Sequence, residues 1–141
     1  CRAIGDGPMS FDIYYLSLRH GEPLRFPLLR LEQLFGPYIE ARAPSDWDLR
    51  FPDGGYSHVF VHEEETEQIF NLAIERPAAA PELWEALYTL MRERPSMLYW
   101  PGGSAVADHA YLTELGDGIA TGSCAVVGSA AELLKWIGTT A

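Results

Sequence analysis

The run Pro81-Glu82-Leu83-Trp84-Glu85-Ala86-Leu87-Tyr88-Thr89-Leu90-Met91-Arg92-Glu93-Arg94 constrains the fold more than any other stretch. Leu83, Trp84, Ala86, Leu87, Leu90 and Met91 recur at spacings of three and four, which puts them on one face of an α-helix. Pro81 suits a first helical turn, where its missing N–H needs no partner. Glu82 and Glu85 favour the N-terminal end of the helix dipole. Arg92 and Arg94 favour the other end, and Pro95 stops the run. Strand patterns flank it, Gln68–Ile74 before and Met97–Trp100 after. A helix with one apolar face between two strands is expected to cover a sheet.

Phe11–Leu18 carries aromatic and branched residues on both alternating faces, as an inner strand does. Phe26–Pro37 reads as a short helix with Leu28, Leu31, Leu34 and Phe35 inward, ended by Gly36-Pro37. Tyr38–Asp46 reads as a connector. Asp46–Phe51 alternates polar and apolar, so Trp47, Leu49 and Phe51 share one face. Pro52-Asp53-Gly54-Gly55 then turns the chain into the strand Tyr56–His62, giving an antiparallel hairpin. Gln68–Ile74 completes a three-strand meander. In the last third, Ser104–Leu115 reads as a short helix, Gly116-Asp117-Gly118 as a turn and Cys124–Val127 as a strand. Ser129 and Glu132 have capping-box spacing before a terminal helix that carries Leu133, Leu134, Trp136 and Ile137. The expected fold is α+β, a single layer of mixed or mainly antiparallel sheet packed by helices, in the order β-α-β-β-β-α-β-α-β-α.

The chain has 141 residues, 48% of them hydrophobic and 21% charged, which fits one domain and argues against disorder. That domain is expected over residues 9–141. Met9, directly before a strand pattern, reads as a natural start, which makes residues 1–8 a leader or an artificial remnant. No secretory signal or membrane-length apolar run is visible. Two cysteines, Cys1 and Cys124, do not make a disulfide scaffold. The expected compartment is the cytoplasm.

Candidate chemistry is sparse. His58 and His62 fall on one strand face but about 13 Å apart, too far for one metal. The chain lacks the paired-thiol and helical histidine motifs of zinc sites, so neither metal nor cofactor is expected. Ser104, Asp108 and His109 do not by spacing define a triad. Thr121-Gly122-Ser123-Cys124-Ala125 lacks the second glycine of a nucleophile elbow. No catalytic residue is assigned. An alternative keeps a small ligand-binding domain or enzyme built on the Trp100–Ser104 glycine turn with Asp108 and His109, since glycines allow backbone N–H groups to cradle an anion. An adaptor subunit is a third reading.

The formal net charge is −10, with ten Lys and Arg in all. That balance opposes binding to nucleic acid or to an anionic membrane and favours a basic partner. Glu63, Glu64, Glu65 and Glu67 cluster at one turn, and Asp46 and Asp48 lie on the wet face of the preceding hairpin. Glu32, Glu40 and Asp53 can add to the same side. Trp47 and Tyr56 are candidate aromatic anchors beside these acids, with Trp47 equally placed for the core. An ordinary solvated acidic turn is the plain alternative.

Phe11–Leu18, Phe35-Gly36-Pro37-Tyr38, Pro52-Asp53-Gly54-Gly55, the Trp84–Leu90 helix and Leu98-Tyr99-Trp100-Pro101-Gly102 together resemble small acidic bacterial proteins of the immunity type, encoded beside secreted polymorphic toxins. The resemblance covers about residues 9–100 and carries no active-site motif. It implies a cytoplasmic, non-enzymatic inhibitor that binds one cognate basic toxin domain and covers its active site. The contact set expected from the residues themselves is Asp46, Trp47, Asp48, Tyr56, Glu63, Glu64, Glu65 and Glu67.

Overall fold

The computed structural model describes residues 9–115 and 124–140. In chain order its strands and helices are β1 (Ile13–Arg19), β2 (Glu22–Pro23), β3 (Phe26–Pro27), α1 (Leu28–Phe35), β4 (Ile39–Ala43), β5 (Asp46–Arg50), β6 (Tyr56–Val61), β7 (Gln68–Ile69), β8 (Asn71–Glu75), α2 (Pro81–Glu93), β9 (Ser96–Trp100), β10 (Gly103–Val106), β11 (Cys124–Val126) and α3 (Ala130–Thr140). Short 3-10 turns occupy Gly36–Tyr38, Glu64–Thr66 and His109–Thr113. The fold is α+β, with a large, mostly antiparallel sheet and helices packed on it.

The sheet runs β11-β10-β9-β1-β8-β6-β5-β4, with β2 added to the end of β1. Only the β10–β11 pair is parallel among the described pairings. β1 lies between β8 and β9, the inner position its two apolar faces require. β3 and β7 form a separate two-residue ladder.

Strand alternation sorts side chains onto two faces. Ile13, Tyr15, Trp47, Leu49, Val59, Val61, Leu72, Ile74, Leu98, Trp100 and Ala105 are buried together with the helices. α1 adds Leu28, Leu31 and Phe35; α2 adds its six apolar residues; α3 adds Ala130, Leu133 and Ile137. The three helices therefore lie on the same side of the sheet. Pro81 sits in the first turn of α2, Glu82 beside it and Arg92 in the last turn, as the dipole favours. Trp84 anchors the helix to the approaching chain: its indole N–H donates to the Ala78 carbonyl (3.0 Å), and the Ala78 N–H donates to Ser57 Oγ on β6 (2.8 Å).

The hairpin turn closes as its sequence dictates. Phe51 N–H donates to Gly55 O (2.8 Å), Gly55 N–H donates to Asp53 Oδ1 (2.8 Å), and Gly54 takes φ +88°, which an L side chain rarely adopts. Ser129 Oγ accepts the Glu132 N–H (3.1 Å), but the Glu132 carboxylate reaches the Gly128 N–H (2.6 Å), one residue before the position a capping box predicts.

Two expectations need correction. Tyr38–Asp46 is not just a connector: after the 3-10 turn it supplies edge strand β4, whose register shifts between Ile39 and Ala41. Its charged, almost wholly exposed residues gave no apolar period to read. Ser104–Leu115 is not one helix: Gly103–Val106 pairs with β9, and only His109–Thr113 turns helically. The expected turn at Gly116-Asp117-Gly118 lies outside the described residues.

Because Leu87 is fully buried between α2 and the sheet, Leu87→Ala should lower the unfolding free energy by about 2–5 kcal/mol. Urea denaturation measures it. A loss under about 1 kcal/mol would show that α2 is not packed as described.

Candidate functional site

The helices leave much of the other sheet face uncovered among the described residues. Near β9 and β10 that face is closed by a second small core: Leu18, Met97, Val106 and Leu115, with Tyr111 and Leu112 from the 3-10 turn packed against it. From Tyr99 across to β4 no described element covers it. One row of cross-strand neighbours runs Asp46–Phe60–Ala73–Tyr14–Tyr99 over β5, β6, β8, β1 and β9. Phe60 is 41% and Tyr99 37% exposed, high for aromatic side chains in the body of a sheet. Tyr14 stacks on Tyr99 with centroids 5.1 Å apart.

The adjacent row carries the charge. Asp48 on β5 faces His58 on β6, and His58 faces Glu75 on β8. Both imidazole nitrogens point at carboxylates: Nδ1 to Asp48 Oδ1 at 2.8 Å, Nε2 to Asp46 Oδ1 at 2.9 Å and to Glu75 Oε1 at 3.5 Å. Tyr56 O–H donates to the same Asp48 oxygen (2.8 Å). The Arg50 guanidinium lies 5.2 Å from the Tyr56 ring centroid and pairs loosely with Glu40 at 3.4 Å. Hydrogen bonding to Asp48 raises the His58 pKa. Burial opposes the rise, and Asp46 and Glu75 add to it. The same bond, joined by that of Tyr56, holds Asp48 below the usual carboxylate range. The charged pair is thus the favoured state of both groups.

The acidic turn does not continue this face. Trp47 lies in the core at 0% exposure and cannot contact a partner. Alternation points it away from Asp46 and Asp48, to the helix side. Glu64 follows it: Oε1 accepts the Trp47 indole N–H (2.6 Å) and an Arg42 N–H (2.9 Å), while Oε2 accepts the Ser45 N–H (2.7 Å). Burial pushes the Glu64 pKa up, but the Ser45, Trp47 and Arg42 donors outweigh it, and the group falls below its usual range. Glu64 is a structural carboxylate that ties the turn to β5. Glu63 lies 3.4 Å from Arg25 and 3.5 Å from His62, and Glu65 and Glu67 are exposed. Of the eight residues singled out in the sequence, Asp46, Asp48 and Tyr56 come together on the open face. His58, Phe60, Glu75, Tyr14 and Tyr99 join them. Hairpin register was the one available signal: it sets His58 opposite Asp48.

In the alternative site, Trp100 and Asp108 are taken up by structural contacts. Trp100 is buried on the helix side, its N–H donating to Thr140 Oγ1 (2.9 Å). Asp108 caps the 3-10 turn by accepting the Ala110 N–H (2.9 Å), and His109 is exposed. A shallow groove of about 440 Å³ lies instead between α1 and α2, lined by Leu34, Tyr38, Pro81, Glu82, Glu85, Ala86 and Thr89, and contains none of these groups. Among the described residues no group of three or more His, Cys, Asp and Glu is arranged to hold a metal, and no helix is long and apolar enough to cross a membrane.

An α+β protein with one helix-covered and one acidic, aromatic sheet face is what the geometry defines. Comparison with protein-family models, curated proteins and solved structures yields no match.

The His58–Asp48 pair makes stability depend on pH in a fixed sense. A raised histidine pKa gives stabilisation that is full below the unfolded value of about 6.5 and is lost as pH rises through the folded value. A lowered Asp48 pKa gives stabilisation present above about 3.9 and lost as pH falls through its folded value. NMR titration of the His58 ring should show a midpoint above about 6.5, and Asp48→Asn should bring it down. A midpoint at or below that value in the unaltered protein would contradict the arrangement.

Proposed function

We propose that this protein is an inhibitor of the immunity type, which binds the basic domain of a cognate secreted bacterial toxin through its open sheet face and so covers the toxin's active site. The observation that carries this reading is the union of exposed aromatics with carboxylates on one surface: Phe60 and Tyr56 beside Asp46, Asp48 and Glu75, with Tyr99 farther along the same face. Aromatic residues supply contact area at little entropic cost, and unlike charges set encounter rate and orientation. The excess of ten negative charges extends the attraction beyond contact range. A toxin that acts on an anionic substrate has a positive cleft, and this face complements such a cleft in sign. The reading draws further support from the sequence resemblance.

Co-expression with the toxin encoded at the same locus is the test. The pair should co-purify, and the toxin should lose activity. Replacing Asp46, Asp48 and Glu75 together by Lys should slow association at least about tenfold at low salt, with a smaller effect at high salt. Absence of both binding and protection by the unaltered protein would overturn the proposal. A stable complex with a non-toxic protein would mark an adaptor subunit instead.

A further inference from the structure

The open strip of β8 reads Asn71, Ala73, Glu75. Ala73 is a small residue between large ones, paired with Phe60 on β6 and with Tyr14 on β1. Those two strands stand two spacings apart, about 9.6 Å. Tyr14 stacks on Tyr99, on the side away from Ala73. The result is a notch with an alanine floor and an aromatic wall on each side. A flat group held between two side-chain faces needs contacts of about 3.5–4.0 Å on either side, so about 7–8 Å, which fits within the about 9.6 Å between the two strands.

One end presents an acceptor, and the other holds an acceptor turned inward. At one end stands the Glu75 carboxylate, with its side chain 54% exposed. At the other, Asn71 Oδ1 is buried and has no hydrogen-bond partner. A buried carbonyl without a donor is costly and marks a place where a donor is missing. Asn71 and Glu75 are four residues apart on a strand, about 13 Å. An extended arginine residue measures about 9 Å from its peptide nitrogen to its terminal nitrogens, by bond lengths near 1.5 Å. A hydrogen bond of about 2.9 Å at each end brings its reach to roughly that span. Rotation about the soft terminal torsion of Asn71 would turn its oxygen to the incoming N–H.

We infer that this notch receives one arginine residue of the basic partner, with the guanidinium between Phe60 and Tyr14 and directed at Glu75, and the main-chain N–H at Asn71. Arginine meets the requirements together: it is flat, always charged, rich in donors and able to stack on aromatic faces. A lysine ammonium has the charge without the flatness. Carboxylates and phosphates are repelled by Asp46, Asp48 and Glu75. The inference rests on the reading of this face as the docking surface for a basic protein.

Fluorescein-labelled nona-arginine and nona-lysine peptides, equal in charge, test it by anisotropy at low salt. Nona-arginine should bind at least about fivefold more tightly, and its amide shift changes should centre on Phe60, Ala73 and Tyr14. Ala73→Leu fills the notch at a partly exposed position and should abolish the preference for arginine while lysine binding stays. Phe60→Ala should do the same and serves if Ala73→Leu fails to fold, which the amide spectrum reports. Equal affinity for both peptides, or an undiminished preference in a folded Ala73→Leu protein, would overturn the notch. The docking reading fails separately, if the triple lysine variant still captures and neutralises the toxin at the unaltered rate.

Discussion

The sheet is wider on one side than its helices can wrap on both. Eight strands along its path, at about 4.8 Å each, make a surface roughly 34 Å across. α1, α2 and α3, each about 10 Å in diameter, suffice to cover that width once. All of them are committed to the face that holds Trp47, Tyr15 and Leu98. The other face must therefore be filled by something smaller or left to solvent. The chain does some of each: the 3-10 turn after β10 seals Met97 and Val106, and the remainder presents Phe60, Tyr99 and the carboxylates.

That division explains why the negative charges separate into two kinds. Acids carried by α1, α2 and the 3-10 turn at Glu64–Thr66 are drawn into pairs. Glu64 holds the indole of Trp47 and the guanidinium of Arg42, Arg42 also reaches Glu32, and Glu93 is paired with Arg30. Asp46, Asp48 and Glu75, on the open side, share a single imidazole. One positive ring does not neutralise three carboxylates, so the open side keeps a negative field.

Much of the fold was legible because the covered face imposes a period. α2 announced itself by six apolar residues at helical spacing, β1 by apolar residues on both faces, and the β5–β6 hairpin by alternation around Asp53-Gly54-Gly55. β4 was not legible, because an edge strand with solvent on nearly every side chain has no pattern to show. β10 was hidden by length: four residues with glycine at one end cannot be told from a turn. The site was legible only in part for a related reason. Asp46, Asp48 and Tyr56 are close in sequence, but Glu75 and Tyr14 reach the same surface through pairings with β8 and β1 that no local pattern encodes. Clustering in sequence misplaced Glu64, whose neighbours in space are an indole, a guanidinium and a main-chain N–H.

An open sheet also has a border, and β4 forms one. It is five residues long, carries Glu40 and Arg42, and breaks register between Ile39 and Ala41. Each of these traits frustrates the addition of another strand: shortness limits the ladder, charge penalises a close neighbour, and the bulge bends the rim out of plane. A sheet whose described residues leave one broad face uncovered thus guards the flank along which further strands could otherwise extend it into a ribbon.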